Sequence, residues 1–253
     1  MSKSVFITGA SSGLGEGMAR HFASRGYRLA LAARRTDRLA TLARELEREA
    51  GDVVVIELDV VEFDLIPEAL ERARQSFDGL DVVVANAGVG PSTPTGRGRM
   101  ADIRKTIDVN LTAAIATVEA AVELFLKQGH GHVAAVTPVA KLRGLPGQSA
   151  YSASKSGLSR YLEAVRLELR GKNIGVTELA PGYIDTDLNR HIKSRPFVVD
   201  AVKGTAEMVD TIEKGSASSY IPAWPWTLVA QVLKVLPGAA FPRPSSKPPA
   251  DSD

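Results

Sequence analysis

The chain has 253 residues, with 31 Lys and Arg against 29 Asp and Glu, and no cysteine. A net charge of +2 argues against a broad nucleic-acid surface, and the missing thiols exclude a disulfide framework, a thiolate nucleophile and a thiolate metal site. With 44% hydrophobic residues the length suits one large α/β domain.

The first strand begins at Ser4 with no charged leader, apolar core and cleavage site ahead of it, so a signal peptide is not expected and the reading is a cytoplasmic protein. No run approaches 18 uninterrupted apolar residues, and membrane contact is not expected. Ser4 to Thr8 is an apolar β-type run that breaks into Gly9, Gly13 and Gly15 and opens a helix through Met18, Ala19 and Phe22. Glycine lets the backbone turn without a Cβ clash and approach a bulky anion. The helix start adds unpaired N–H groups and its positive dipole end. The guest that fits is a pyrophosphate, although glycine-rich turns also join strands to helices for structural reasons alone.

Arg28 to Ala33 is a second apolar run, followed by helical spacing over 36–50 at Leu39, Leu42, Ala43 and Leu46. Val53 to Leu58 is the third strand, Leu65 to Phe77 a helix, and Leu80 to Ala85 the fourth strand. Ala101 to Lys127 reads as one long helix, Gly131 to Thr137 as the fifth strand, Ala150 to Gly171 as a helix and Ile174 to Ala180 as the sixth strand. Continuous apolar strands alternating with amphipathic helices imply a parallel, doubly wound sheet covered on both faces, in one domain over 1–241, with ligands outside the carboxyl ends of its strands. Residues 186–205, with Pro196 and Phe197, read as a lid over the site or as an ordinary surface excursion. In the 220–241 segment, Tyr220, Trp224 and Trp226 lead into Leu228, Val229, Val232 and Leu233. This apolar helix has three possible seats: the protein's own body, a subunit interface or a membrane surface. Residues 242–253, rich in Pro and Ser, read as a disordered tail.

Thr8-Gly9-x-x-x-Gly13-x-Gly15, Asn86-Ala87-Gly88, Asn110, Tyr151-x-x-x-Lys155 and Pro181-Gly182 follow one another in the order found in the short-chain dehydrogenase/reductase family, which the chain resembles from residue 4 to about 190. The resemblance implies a Rossmann-type sheet of about seven strands. It also implies hydride transfer between a nicotinamide cofactor and a carbonyl or alcohol, in a homodimer or homotetramer joined through the helices at 101–127 and 150–171. Tyr151 and Lys155, four apart on a helix, share a face. A nearby ammonium is expected to lower the phenol's pKa and fit Tyr151 for general acid or base work. By resemblance Lys155 also holds the nicotinamide ribose, and Asn110 holds a water that continues the proton relay.

The same resemblance places the dinucleotide on Thr8, Gly9, Ser11, Ser12, Gly13, Leu14 and Gly15, with Asp59 and Val60 on the adenine side and Asn86, Ala87 and Gly88 in the supporting loop. Pro181, Gly182, Ile184 and Thr186 lie at the nicotinamide end. Where NAD enzymes carry a carboxylate after the second strand, this chain has Ala33, Arg34 and Arg35, and two guanidiniums suit a 2′-phosphate. The expected cofactor is therefore NADP(H) over NAD(H). No metal is expected.

One position departs from the pattern. The family's serine thirteen residues before the tyrosine is Pro138 here, which has no donor to offer a substrate carbonyl. Thr137 or Ser149 supplies the hydroxyl, or Tyr151 and Lys155 work slowly alone, or the chain binds cofactor with little turnover. Lys141 stands where the family has a small residue. Val89, Gly90, Leu142, Tyr183, Leu188 and His191 fall where the family lines its substrate pocket, and the mix favours an apolar ketone, aldehyde or secondary alcohol.

Overall fold

The computed structural model describes residues 2–190, 192 and 194–237. Seven strands form one parallel sheet in the order β3-β2-β1-β4-β5-β6-β7. These are β1 (Ser4–Thr8), β2 (Arg28–Ala33), β3 (Val53–Glu57), β4 (Val82–Ala85), β5 (Gly131–Val136), β6 (Ile174–Pro181) and β7 (Ser218–Ile221). The helices are α1 (Gly13–Ser24), α2 (Thr36–Leu46), α3 (Leu65–Phe77), α4 (Met100–Ile107), α5 (Ala113–Gln128), α6 (Ser149–Glu168), α7 (Ala201–Glu213) and α8 (Ala223–Val235).

Successive strand residues face opposite sides, so each strand feeds two cores. Phe6, Val83 and Val133 point to a core with Ile66, Leu70 and Phe77 of α3, Val118 and Phe125 of α5, and Leu158 and Leu162 of α6. Val5, Ile7, Leu29 and Leu31 point to the other, closed by Met18 and Phe22 of α1, Leu39 and Leu42 of α2, and Met208, Val209 and Ile212 of α7. Because both faces are covered, the strands can be apolar throughout.

The strand order reverses between β1 and β4, which pair through Val5↔Val82, Phe6↔Val83 and Ile7↔Val84. Connections leave these strands in opposite directions, and the crevice that opens beyond Thr8 and Ala85 is where an open α/β sheet takes its ligand.

The structure corrects three features of the sequence reading. The helix expected over 101–127 is continuous in path but holds a π-helical turn at Asp108–Thr112, between α4 and α5. The segment 186–205 is not wholly irregular, since α7 begins at Ala201 with the Asp200 carboxylate accepting from the N–H groups of Val202 and Lys203. Tyr220 and Ile221 belong to β7, so the apolar terminal element is shorter than 220–241. The expected tail, 242–253, lies outside the described residues. Among the described residues, Met100–Gln128 is long and apolar enough to cross a membrane, with mean hydropathy 1.6 over its best window. Its Ala113, Ala114, Val118, Ala121 and Phe125 nevertheless sit in the core.

Candidate active site

A cleft of ≈ 750 Å³ runs along the carboxyl ends of the strands. At one end the chain turns from β1 into α1. Gly9 and Gly13 have φ of +67° and +58°, a backbone that L side chains rarely adopt. Gly15 is small for a different reason: a Cβ there would lie 2.4 Å from the Gly9 carbonyl oxygen and 2.6 Å from Asn86 Nδ2. Ser12, at the helix start, makes no side-chain cap, so the first N–H groups of α1 are left for a ligand. Thr8 lies under the turn, accepting at Oγ1 from the backbone N–H groups of Asn86 (3.0 Å) and Ala87 (3.1 Å). Asn86 Nδ2 in turn donates to the Thr8 carbonyl at 2.9 Å. Thr8 and Gly15 thus hold the two loops together and do not border the cleft, whereas Gly9, Ser11, Ser12, Gly13, Leu14, Asn86, Ala87 and Gly88 do.

The two arginines after β2 have separate partners. Arg35 reaches across to the glycine turn and donates to Ser11 Oγ (2.9 Å) and Ser12 Oγ (2.6 Å). Arg34 faces Asp59 at 3.6 Å, with its side chain largely in solvent. Arg34, Arg35 and Asp59 border the cleft, as do Val60, Pro181, Gly182, Ile184 and Thr186. A Cβ on Gly13 would meet Thr186 at 3.7 Å, so the turn and the nicotinamide-end loop are neighbours. The glycine cradle, the uncapped helix start and the cleft's extent fit a dinucleotide.

Tyr151 and Lys155 rise from α6 into the far end of the same cleft. Lys155 is buried, with Nζ donating to the Val136 carbonyl at 3.0 Å, and loss of water brings its pKa down to about 8. Burial, with a smaller contribution from Tyr183, pushes the Tyr151 phenol up to about 12. The expected lowering of the phenol's pKa by Lys155 is therefore not met in the protein by itself, where burial raises it.

Asn110 is fully buried, and the π turn presents its amide to one residue: Nδ2 donates to the Val89 carbonyl and Oδ1 accepts from the Val89 N–H, both at 2.8 Å. Its side chain pins the loop after β4. Gly88 lies between the two groups, since a Cβ there would be 3.3 Å from Asn110 Oδ1 and 3.9 Å from Lys155 Nζ.

Pro138 borders the cleft and brings no donor, while neither proposed substitute reaches it. Thr137 is fully buried on the opposite side, donating to Glu178 Oε1 at 2.7 Å. Ser149 donates to the Thr93 carbonyl at 3.2 Å. Alternation along β5 decides the first case and the turn into α6 the second. Lys141 does not reach the cleft either. Its ammonium pairs with Glu178 at 2.7 Å, both side chains being at most 8% exposed, and the pair ties the turn Val139–Leu142 to β6.

Val89, Gly90, Tyr183 and Leu188 border the cleft as expected; Leu142 does not, and His191 lies outside the described residues. Val139, Ala140, Leu145, Gln148 and Ile192 also line it, and sequence reasoning misses them because their loops carry no periodic signal. Trp226 is legible in sequence only as part of an apolar helix. Its buried indole packs against Gly182, where a Cβ would come 2.0 Å from the ring, and it stands edge-on to Tyr183 at 5.9 Å between centroids.

Sheet order, glycine turn and the Tyr151/Lys155 face together define an oxidoreductase of the short-chain type. The chain belongs to that family, whose model, described as short chain dehydrogenase, matches residues 3–196. It is 39% identical over 236 residues to an uncharacterised oxidoreductase of Mycobacterium tuberculosis, covering 92% of this chain and 93% of that one. The structure of an alcohol dehydrogenase from the archaeon Thermococcus sibiricus complexed with 5-hydroxy-NADP is similar, with a TM-score of 0.78 and 29% identity over 87% of this chain and 96% of that one. A short chain dehydrogenase/reductase from Burkholderia phymatum in complex with NAD shares the fold with a TM-score of 0.83 at 22% identity, over 91% of this chain and 92% of that one.

Proposed function

We propose that the protein is an NADP(H)-dependent reductase or dehydrogenase acting on an apolar ketone, aldehyde or secondary alcohol, in the cytoplasm and as a homodimer or homotetramer. The observation that carries this reading is that Tyr151 and Lys155 border the same cleft as the glycine turn. The dinucleotide, when bound, supplies the hydride. The glycine turn and the start of α1 would take its pyrophosphate, Asp59 and Val60 its adenine, and Ile184 and Thr186 the carboxamide end. Arg35, already turned toward the phosphate turn by Ser11 and Ser12, would meet the 2′-phosphate with Arg34 beside it. The similar structures hold 5-hydroxy-NADP in one case and NAD in the other, so the preference rests on Arg34 and Arg35.

In the direction of reduction, Tyr151 Oη gives its proton to the substrate oxygen. With the phenol near 12 and the ammonium near 8, Lys155 would serve by holding positive charge close to the developing phenolate and by replacing its proton. Asn110 would act through Val89, keeping the loop after β4 at its height along the cleft.

Pro138 favours a second reading, a protein that binds NADP(H) with little turnover, since one missing preorganised donor typically costs about 100- to 1000-fold in rate. An NADPH-consumption screen over varied ketones and aldehydes separates the two. The first reading expects consumption that Tyr151→Phe abolishes, and full activity in Tyr151→Phe would refute it. Saturable NADPH binding with no consumption across the panel would favour the second.

A further inference from the structure

Efficient reduction in this cleft calls for a second donor at the substrate oxygen besides Tyr151. A carbonyl accepting a hydride builds negative charge on oxygen, and a second fixed donor stabilises that charge. Pro138 gives none, Thr137 is spent on Glu178 and Ser149 on Thr93. Other polar side chains along the cleft are also engaged: Ser11 and Ser12 with Arg35, and the Asn189 amide with the Ile184 carbonyl (2.7 Å) and Arg195 (3.0 Å). Of the uncharged polar side chains this leaves Thr186, Gln148 and Tyr183, none with a side-chain hydrogen bond among the described residues; Thr186 lies against the glycine turn, 3.7 Å from a Cβ on Gly13, so the choice falls between Gln148 and Tyr183.

Tyr183 is the better placed of the two. It follows Gly182 at the carboxyl end of β6, and its backbone is fixed on both sides: the Gly182 N–H donates to the Ile221 carbonyl and the Val199 N–H to the Tyr183 carbonyl, each at 2.9 Å. Trp226, buried and seated on Gly182, holds the ring edge-on, and Phe197 closes on the same indole at 6.0 Å. A ring held in this way loses little entropy when its hydroxyl engages a ligand. The two phenols are also close enough that Tyr183 raises the pKa of Tyr151. The Gln148 backbone is held as well, by the Leu145 carbonyl and the Ser152 N–H, but its side chain is a flexible amide with no ring packed against it as Trp226 is against Tyr183.

We propose that Tyr183 is the second hydrogen-bond donor to the substrate oxygen, doing from the β6 loop what a serine at position 138 does elsewhere in the family. The inference rests on the reductase reading above. In the reduction, a hydride that the dinucleotide would release from a C–H bond and one proton are added across C=O. The hydride forms the new C–H bond, the π pair moves onto oxygen, and that oxygen takes the Tyr151 proton. Tyr183 keeps its own proton and only lends a hydrogen bond.

Carbonyl-labelled [13C]acetophenone, bound with NADP+ so that no turnover occurs, reports the donors directly through its infrared stretch. The stretch should be lowered in the wild type, less lowered in Tyr183→Phe, and lowered again in Tyr183→Phe/Pro138→Ser. With NADPH, Tyr183→Phe should reduce kcat about 100-fold and leave the affinity for NADPH unchanged, with Pro138→Ser recovering most of the loss. Equal stretches and equal kcat in wild type and Tyr183→Phe would overturn the proposal while leaving Tyr151 chemistry standing. The same loss in Gln148→Ala in place of Tyr183→Phe would overturn it as well. No bound carbonyl band in any variant would overturn the ketone site itself, and Tyr183's role with it.

Discussion

Lys155→Met tests the energetics of the site without a substrate. The ammonium is 4% exposed, and desolvation lowers its pKa from 10.5 to about 8. A tenfold change in an ionisation constant corresponds to about 1.4 kcal/mol, so keeping this lysine charged at neutral pH costs the fold about 3 kcal/mol. Met fills a similar volume without that cost but forfeits the hydrogen bond to the Val136 carbonyl, about 1 to 2 kcal/mol. The variant should therefore be more stable than wild type by about 1 to 2 kcal/mol at pH 7, though it loses activity. Because the folded pKa is the depressed one, the penalty is complete below about pH 8 and is relieved as pH rises through 10.5, above which both states are neutral. Urea denaturation of both proteins should show the wild type gaining on the variant by about 2 kcal/mol between pH 7 and pH 9.5. A difference that stays constant over this range would refute burial as the cause of the lysine's depressed pKa.

Three further outcomes are expected. Arg35→Ala should weaken NADPH binding by about 10- to 100-fold and NADH binding little, as measured by fluorescence titration, since the guanidinium faces the glycine turn through Ser11 and Ser12. Lys141→Met should cost about 3 to 5 kcal/mol in denaturant unfolding, because it strands the Glu178 carboxylate, whereas Lys141→Met/Glu178→Leu should restore most of it. Glu178 is held below its usual pKa by that ammonium, so on the acid side the pair's contribution should fade as the carboxylate protonates, while burial lowers the Lys141 pKa and brings its loss in alkali closer. Gly182→Ala should lower thermal stability and slow turnover together, since its methyl would collide with the Trp226 indole that supports Tyr183.

The first six strands are legible because each is a continuous apolar run between helical stretches, the pattern that a sheet covered on both faces requires. β7 is not: Ser218-Ser219-Tyr220-Ile221 is a short, partly exposed edge strand whose composition resembles a loop. α7 carries a helical period in Thr205, Met208, Val209 and Ile212, hidden by the Pro196 and Phe197 that precede it. At the site, residue types are readable and directions are not. The glycines' places in the turn follow from sequence, yet Gly15 is required by packing against Gly9 and Asn86, which is a tertiary fact. Thr137 faces away from the cleft as strand alternation implies, with no bulge to redirect it. No sequence pattern announces the π turn that spends the Asn110 amide on Val89, or the indole that selects glycine at 182. The phenol's pKa moves the other way from expectation because burial, invisible in spacing, raises it.

The central claim is that a phosphorylated dinucleotide lies along the cleft from the glycine turn to Tyr151. Titrating the protein with NADPH and with NADH, following energy transfer from the buried Trp226 to the nicotinamide, tests it without a substrate. Saturable binding with NADPH at least tenfold tighter, the preference vanishing in Arg35→Ala, is the predicted result; no saturable signal from either dinucleotide would contradict it.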